Sequence, residues 1–180
     1  MKKLFVALTT VLSLAALLYF PAGADDDGVV DVSVTPKLIS ITVDPGSVDY
    51  QTVEINFNDA RPSPPGFTVT NIGTVPVDLY IRGDDTRNAD NSLGWTLGSG
   101  PDIETYVHRF STNSDPDLAN FAPLPKSPQI FLQNVSPMTA TPGSGEVDLR
   151  LSLATPTETD NLGPQTTTVT VLATDVGVIP

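Results

Sequence analysis

Few residues in this chain have the types and spacing that acid–base or metal chemistry needs. Its 180 residues hold one histidine and no cysteine. His108 sits in Thr105-Tyr106-Val107-His108-Arg109-Phe110-Ser111. Strand alternation puts it on one face with Tyr106 and Phe110, with Val107 and Arg109 on the other. A lone imidazole can act as a general base or a metal ligand. No second His or Cys exists to complete a nucleophilic or zinc set, so the plainer reading is an ordinary strand histidine. No Gly-x-Ser-x-Gly elbow occurs. A carboxylate pair could hydrolyse a glycoside, but with 21 acidic residues pairs arise by chance and spacing selects none.

Oxygen chemistry is better placed. In Asp84-Asp85-Thr86-Arg87-Asn88-Ala89-Asp90-Asn91, the alternate residues Asp84, Thr86, Asn88 and Asp90 present the hard ligands that calcium takes. These four are the candidate metal ligands, and calcium is the one cofactor implied. The stretch departs from an EF-hand: Ala89 stands where glycine is required, and Trp95 where a glutamate closes the site. The competing reading is a solvated turn between strands. Arg82-Gly83-Asp84 spells the integrin-recognition tripeptide, which works only at an exposed loop tip; a glycine ending a strand explains it as well. Trp95, beside Gly94, is either a sugar-stacking platform or a plug packed with Leu93 and Leu97. Carbohydrate grooves carry several aromatics, and besides phenylalanines residues 25–180 offer only Trp95, Tyr50, Tyr80 and Tyr106, which favours packing. Asn134-Val135-Ser136, followed by Pro137, is an N-glycosylation sequon.

The elements that must position these residues are strands. Val30, Val32 and Val34 alternate with polar residues, as do Ile39, Ile41 and Val43; Val53, Ile55 and Phe57; Phe67 and Val69; Val75, Val77, Leu79 and Ile81; Val147, Leu149, Leu151 and Leu153; and Val169 and Val171. Each run reads as a strand with one wet face. Asp44-Pro45-Gly46, Pro64-Pro65-Gly66, Asn71-Ile72-Gly73, Pro142-Gly143 and Asn161-Leu162-Gly163-Pro164 punctuate them. No apolar stripe at helical spacing follows Asp25, and 17 prolines disfavour helix. The expectation is an all-β antiparallel sandwich with a core of Val69, Val77, Leu79, Val147, Leu149, Leu151, Val169 and Val171. Residues 84–102 and 112–141 break the rhythm. Both are expected to be long loops, the second holding a short strand at Gln129–Gln133, and long loops are where a site is sought.

Address and charge narrow the function. Met1-Lys2-Lys3, the uncharged Leu4–Phe20 and Ala22-Gly23-Ala24 before three aspartates have the order of a secretory signal peptide. Residues 1–24 are expected to be removed, leaving 25–180 as one extracellular domain. The alternative, a membrane anchor, is short for a span of about 20 residues. Losing Lys2 and Lys3 takes the basic count from 9 to 7 against 21 acidic residues, a net charge of −14. That argues against nucleic acid and anionic membrane surfaces, which need a positive patch.

Gly66-Phe67-Thr68-Val69-Thr70-Asn71-Ile72-Gly73-Thr74-Val75-Pro76-Val77-Asp78-Leu79 resembles the B-strand, Asn-x-Gly turn and C-strand of bacterial and archaeal extracellular immunoglobulin-like domains. Val43-Asp44-Pro45-Gly46-Ser47-Val48-Asp49-Tyr50 is similar to the start of their first strand. Leu149–Pro156 with Gln165–Ala173 resembles their closing F–G hairpin. The resemblance covers Val29–Gly83 and Gly145–Ala173 and implies an immunoglobulin-like sandwich, not an activity, because such domains serve adhesion, spacing, filament assembly and ligand binding alike. Two functions follow: a non-catalytic structural or cell-surface protein of an envelope, fibre or matrix, with itself or other surface proteins as partners, or a ligand-binding module using the 84–102 loop for calcium or glycan. A small hydrolase built on His108 or a carboxylate pair is the least supported. At the mature N-terminus, the acidic leader Asp25–Asp27 precedes a β-prone strand, Val29–Thr35. Closing its own sandwich is favoured, since that carries no concentration cost; pairing with a neighbour's sheet edge is the alternative.

Overall fold

The computed structural model describes residues 33–62, 66–115, 117–138 and 144–180. The chain divides into two compact units, Met1–Thr35 and Pro36–Pro180, and the architecture below is that of the second. The expected signal peptide and residues 29–32 of the N-terminal strand lie outside the described residues, and residues 33–35 belong to no strand.

Among the described residues nine strands follow in order: β1 Ile41–Asp44, β2 Gly66–Asn71, β3 Val77–Gly83, β4 Thr96–Leu97, β5 Thr105–Ser111, β6 Ala122–Pro123, β7 Gln129–Val135, β8 Glu146–Ala154 and β9 Val169–Asp175. Among the described residues the only helical turn is a 3-10 turn at Leu118–Asn120, capped by the Asp117 side chain. One sheet has the order β1-β2-β8-β5-β4, with β6 also on β5; the other is β7-β3-β9. The described residues are all-β, as the alternation demands, and the two sheets pack as a sandwich. Val77, Leu79 and Ile81 of β3 share one cluster with Val69 of β2, Leu149 and Leu153 of β8, and Tyr106 of β5. Of the expected core, Val69, Val77, Leu79, Leu149 and Leu151 are buried, whereas Val147, Val169 and Val171 are half-buried against it. β3 is covered on its other face too. There Asp78 accepts the Asn134 and Gly177 N–H groups, and the Tyr80 hydroxyl donates to Val178 O.

β8 is paired along both sides. β2 flanks its first half and β5 its second. Where β2 stops, residues 56–60 take over: Asn56 N–H donates to Pro156 O, Thr155 N–H to Phe57 O, and Ala60 and Leu153 exchange bonds of 2.8 and 2.9 Å. The run Val53–Phe57, expected as a strand, is irregular. Gln51 and Asn56 both have φ of 59°, which turns the chain out of any ladder. Val53 and Ile55 still pack on the core. The fully buried Thr155 anchors the irregular stretch by donating to Glu54 O and accepting the Phe57 N–H.

The Asn71-Ile72-Gly73 turn passes the chain from one sheet to the other. The buried Asn71 amide donates to Val75 O and Val135 O, and its carbonyl oxygen accepts the Gly73 N–H. A Cβ on Gly73 would overlap Leu38 O, so close approach of two backbones requires glycine there. The expected closing hairpin does not form. β8 and β9 lie in different sheets, because the connection between them holds Pro156 and Pro164 and is far longer than a tight turn. Within 112–141 the chain forms the 3-10 turn, β6 and β7, and the strand expected at Gln129–Gln133 runs on to Val135. Within 84–102, Arg87 bridges Leu93, and β4 runs parallel to β5.

Candidate functional site

The sandwich lines up four rings. Strand β5 turns Tyr106 and His108 to the same face; Trp95 arrives just before β4, and Tyr50 from the irregular connection. Ring centroids step from Trp95 to Tyr106 by 6.3 Å, to His108 by 6.3 Å and to Tyr50 by 5.6 Å. The Tyr50 hydroxyl and His108 Nε2 are 2.7 Å apart. His108 is 2% exposed, and its Nδ1 has no partner among the described residues. Burial lowers the imidazole pKa to about 4, raises that of the Tyr50 phenol and pushes Tyr106 up to about 12. All three groups are therefore uncharged at pH 7. A general base must come within hydrogen-bond reach of its substrate; this imidazole meets tyrosine rings instead, and among the described residues no carboxylate is bonded to it.

The loop at 84–98 closes over the Trp95 end of this row. Thr86 is buried, accepts the Trp95 N–H and donates to Gln165 Oε1. Gln165 in turn donates to Asn88 Oδ1. The Trp95 indole N–H lies 3.1 Å from both Thr159 Oγ1 and Asn161 O. Glu104, at φ 53°, gathers this turn by accepting from Asp160 N–H, Asn161 Nδ2 and Thr159 Oγ1. Those donors, the Asp160 N–H foremost, hold its carboxyl below the usual range. Asp85 meets burial, which opposes ionisation, yet Lys126 and the Leu97 N–H keep its carboxyl below the usual range as well. Two clefts flank the loop. A polar one of about 470 Å³ is lined by Asp84, Asp85, Arg87, Asn91 and Thr166–Thr168. A more apolar one of about 390 Å³ includes Tyr50, Val53, Ile55, Trp95, Leu162 and Pro164.

The four candidate calcium ligands are each hydrogen-bonded within the protein. Asp84 Oδ1 accepts from Arg82 at 2.7 Å. Thr86 is turned inward onto Trp95 and Gln165. Asn88 and Asp90 meet at Ser92, whose hydroxyl takes the Asn88 amide and donates to Asp90. Among the described residues no three His, Cys, Asp or Glu side chains gather as a metal group. In the Arg82-Gly83-Asp84 tripeptide the two charges pair with each other, and Gly83 is buried at the end of β3. Trp95 is 9% exposed and belongs to the core cluster, so it plugs one end of the sandwich. Asn134 and Ser136 of the sequon are exposed.

Glu104, Gln165, Thr159 and Asp85 hold this region together, and spacing singled out none of them. Their partners lie 55 and 79 residues away for Thr159–Glu104 and Thr86–Gln165. The only local signal was the Asp84-Asp85 doublet, in which the alternate-residue pattern passes over Asp85. No protein-family model matches the chain, and no match to it was found among curated proteins or solved structures. No helix among the described residues is long and apolar enough to cross a membrane.

Proposed function

We propose that this chain is an exported, non-catalytic structural protein of the cell surface, a subunit of an envelope layer, fibre or matrix built by association through its sheet edges. The observation that carries the reading is the three-stranded sheet. Its order β7-β3-β9 leaves two seven-residue strands, each with one backbone edge that pairs with no strand among the described residues. Such edges are templates for another chain. The signal-like N-terminus supplies the address, and the acidic surface keeps subunits apart until cations screen it. An immunoglobulin-like topology fits this reading. Taken as A, B, E and D, the path β1-β2-β8-β5 forms one sheet and β3-β9 the C–F pair of the other. β7 is then an addition beside C, and the G position has no described strand.

The test is the association state of the chain from Asp25, followed by sedimentation and electron microscopy as concentration and salt rise. Polymers are expected. Removing 25–35 distinguishes the two roles of the N-terminal strand: a donor to neighbours leaves a monomer that binds a Val29–Thr35 peptide, whereas a self-closing strand leaves a destabilised one. An intact chain that stays monomeric at high concentration with calcium present ends the assembly reading. The two clefts beside the 84–98 loop favour a second reading, a ligand-binding module, which titration of the same monomer with calcium and glycans decides.

A further inference from the structure

We propose that Asn134 carries an N-linked glycan that covers the free edge of β7. The reading rests on export of the chain and otherwise stands on the geometry of one tripeptide. Asn134-Val135-Ser136 has the acceptor spacing, with the asparagine and the hydroxyl residue at its first and third positions. The fold points these two outward. Asn134 and Ser136 are exposed, while Val135 lies opposite Val77 and packs on the core. The ladder between β3 and β7 shifts register on its way through Leu79, and Asn134 has φ of 56°. A break of this kind re-aims a side chain away from its sheet, and asparagine tolerates the left-handed backbone better than most residues. Its main chain is held: the Asn134 N–H donates to Asp78 Oδ1 at 2.9 Å, and Asp78 is buried. Among the described residues its carboxamide makes no hydrogen bond, so a substituent on Nδ2 breaks none of the hydrogen bonds described.

The chemistry needs a glycosyl donor activated as a lipid-linked phosphate or diphosphate. Nδ2 attacks the anomeric carbon of the sugar, the C–N bond forms, the carbon–oxygen bond to phosphate breaks, and Nδ2 gives up one proton. The lipid phosphate leaves with the electron pair. The physical consequence falls on assembly. Among the described residues β7 pairs with β3 alone, and a bulky hydrated group at its end blocks strand addition there. Association through the three-stranded sheet is thereby directed to β9.

Trypsin frees Ser127–Arg150, in which Asn134 is the sole asparagine. In protein recovered from its own secreting cells, this peptide is expected to carry added glycan mass. The mass is expected to vanish in Asn134→Gln and in Ser136→Ala and to persist in Ser136→Thr, all three variants being surface changes checked for the wild-type circular dichroism. An unmodified peptide from the wild-type protein overturns the proposal, and so does added mass that survives Asn134→Gln. The N-terminal peptide of the same digest reports export separately: beginning at Asp25, it shows that the chain crossed the membrane whatever the state of Asn134.

Discussion

His108 is the residue on which pH dependence turns. In the unfolded chain its imidazole titrates at its ordinary 6.5, and in the sandwich burial lowers this to about 4. Between those values the unfolded chain takes up a proton that the folded chain refuses, so acid favours unfolding. At about 1.4 kcal/mol per pH unit, the full difference is about 3 kcal/mol, present above pH 6.5 and lost by pH 4. Its ring neighbours, Tyr50 and Tyr106, stay neutral throughout. The carboxyls of Asp59 and Asp85, both held below their ordinary 3.8, act in a different window: they stabilise above 3.8 and lose that contribution only as pH falls further. Urea unfolding at pH 7 and pH 4.5 should therefore show a marked loss in the wild type and a much smaller one in His108→Gln. An equal loss in both would assign the acid sensitivity to other groups.

At the scale of elements, legibility followed the range of the interactions. β2, β3 and β8 announce themselves because side-chain alternation is local; the burial of the opposite face of β3, at Asp78 and Tyr80, is tertiary and leaves no such mark. Leu149 is 1% exposed between the sheets. Leu149→Ala should cost about 2–5 kcal/mol in denaturant unfolding, with an unchanged denaturant slope; a negligible change would place Leu149 outside the core. Val53–Phe57 has the same alternation and forms no strand, since the φ of 59° at Gln51 and Asn56 breaks the ladder and glutamine gives no turn signal. Nothing local says that residues 56–60 extend the β2 edge of β8, a pairing made across almost a hundred residues, as with Phe57 and Thr155. The aromatic row was legible in half: alternation set Tyr106 beside His108, but only tertiary folding brings Tyr50 and Trp95 to them. The 84–98 loop was read for its oxygens. Those oxygens are largely spent on Arg82, Trp95, Gln165 and Ser92, partners that a scan of ligand types along the chain does not weigh.

For the whole molecule, the proposed assembly makes charge the control on when edges meet. Counted from Asp25, as the proposed export would leave it, the chain carries 7 basic and 21 acidic residues, so two copies repel over the Debye length, about 30 Å at 0.01 M salt and about 8 Å at 0.15 M. Strand-edge association acts over a few ångströms and so begins only after that repulsion is screened. Polymer formation should therefore rise steeply across this range of NaCl, whatever the cation. Calcium tests whether the 84–90 loop adds a specific term. With Asp84 on Arg82, Asp90 on Ser92 and Thr86 turned inward, binding calcium would mean giving up hydrogen bonds already made. Calcium and magnesium at equal ionic strength should then raise the melting temperature equally, in the wild type and in an Asp84→Asn/Asp90→Asn variant. A calcium excess over magnesium that disappears in the double variant would show that the loop rearranges around the ion, and would make calcium, rather than screening alone, the trigger for assembly.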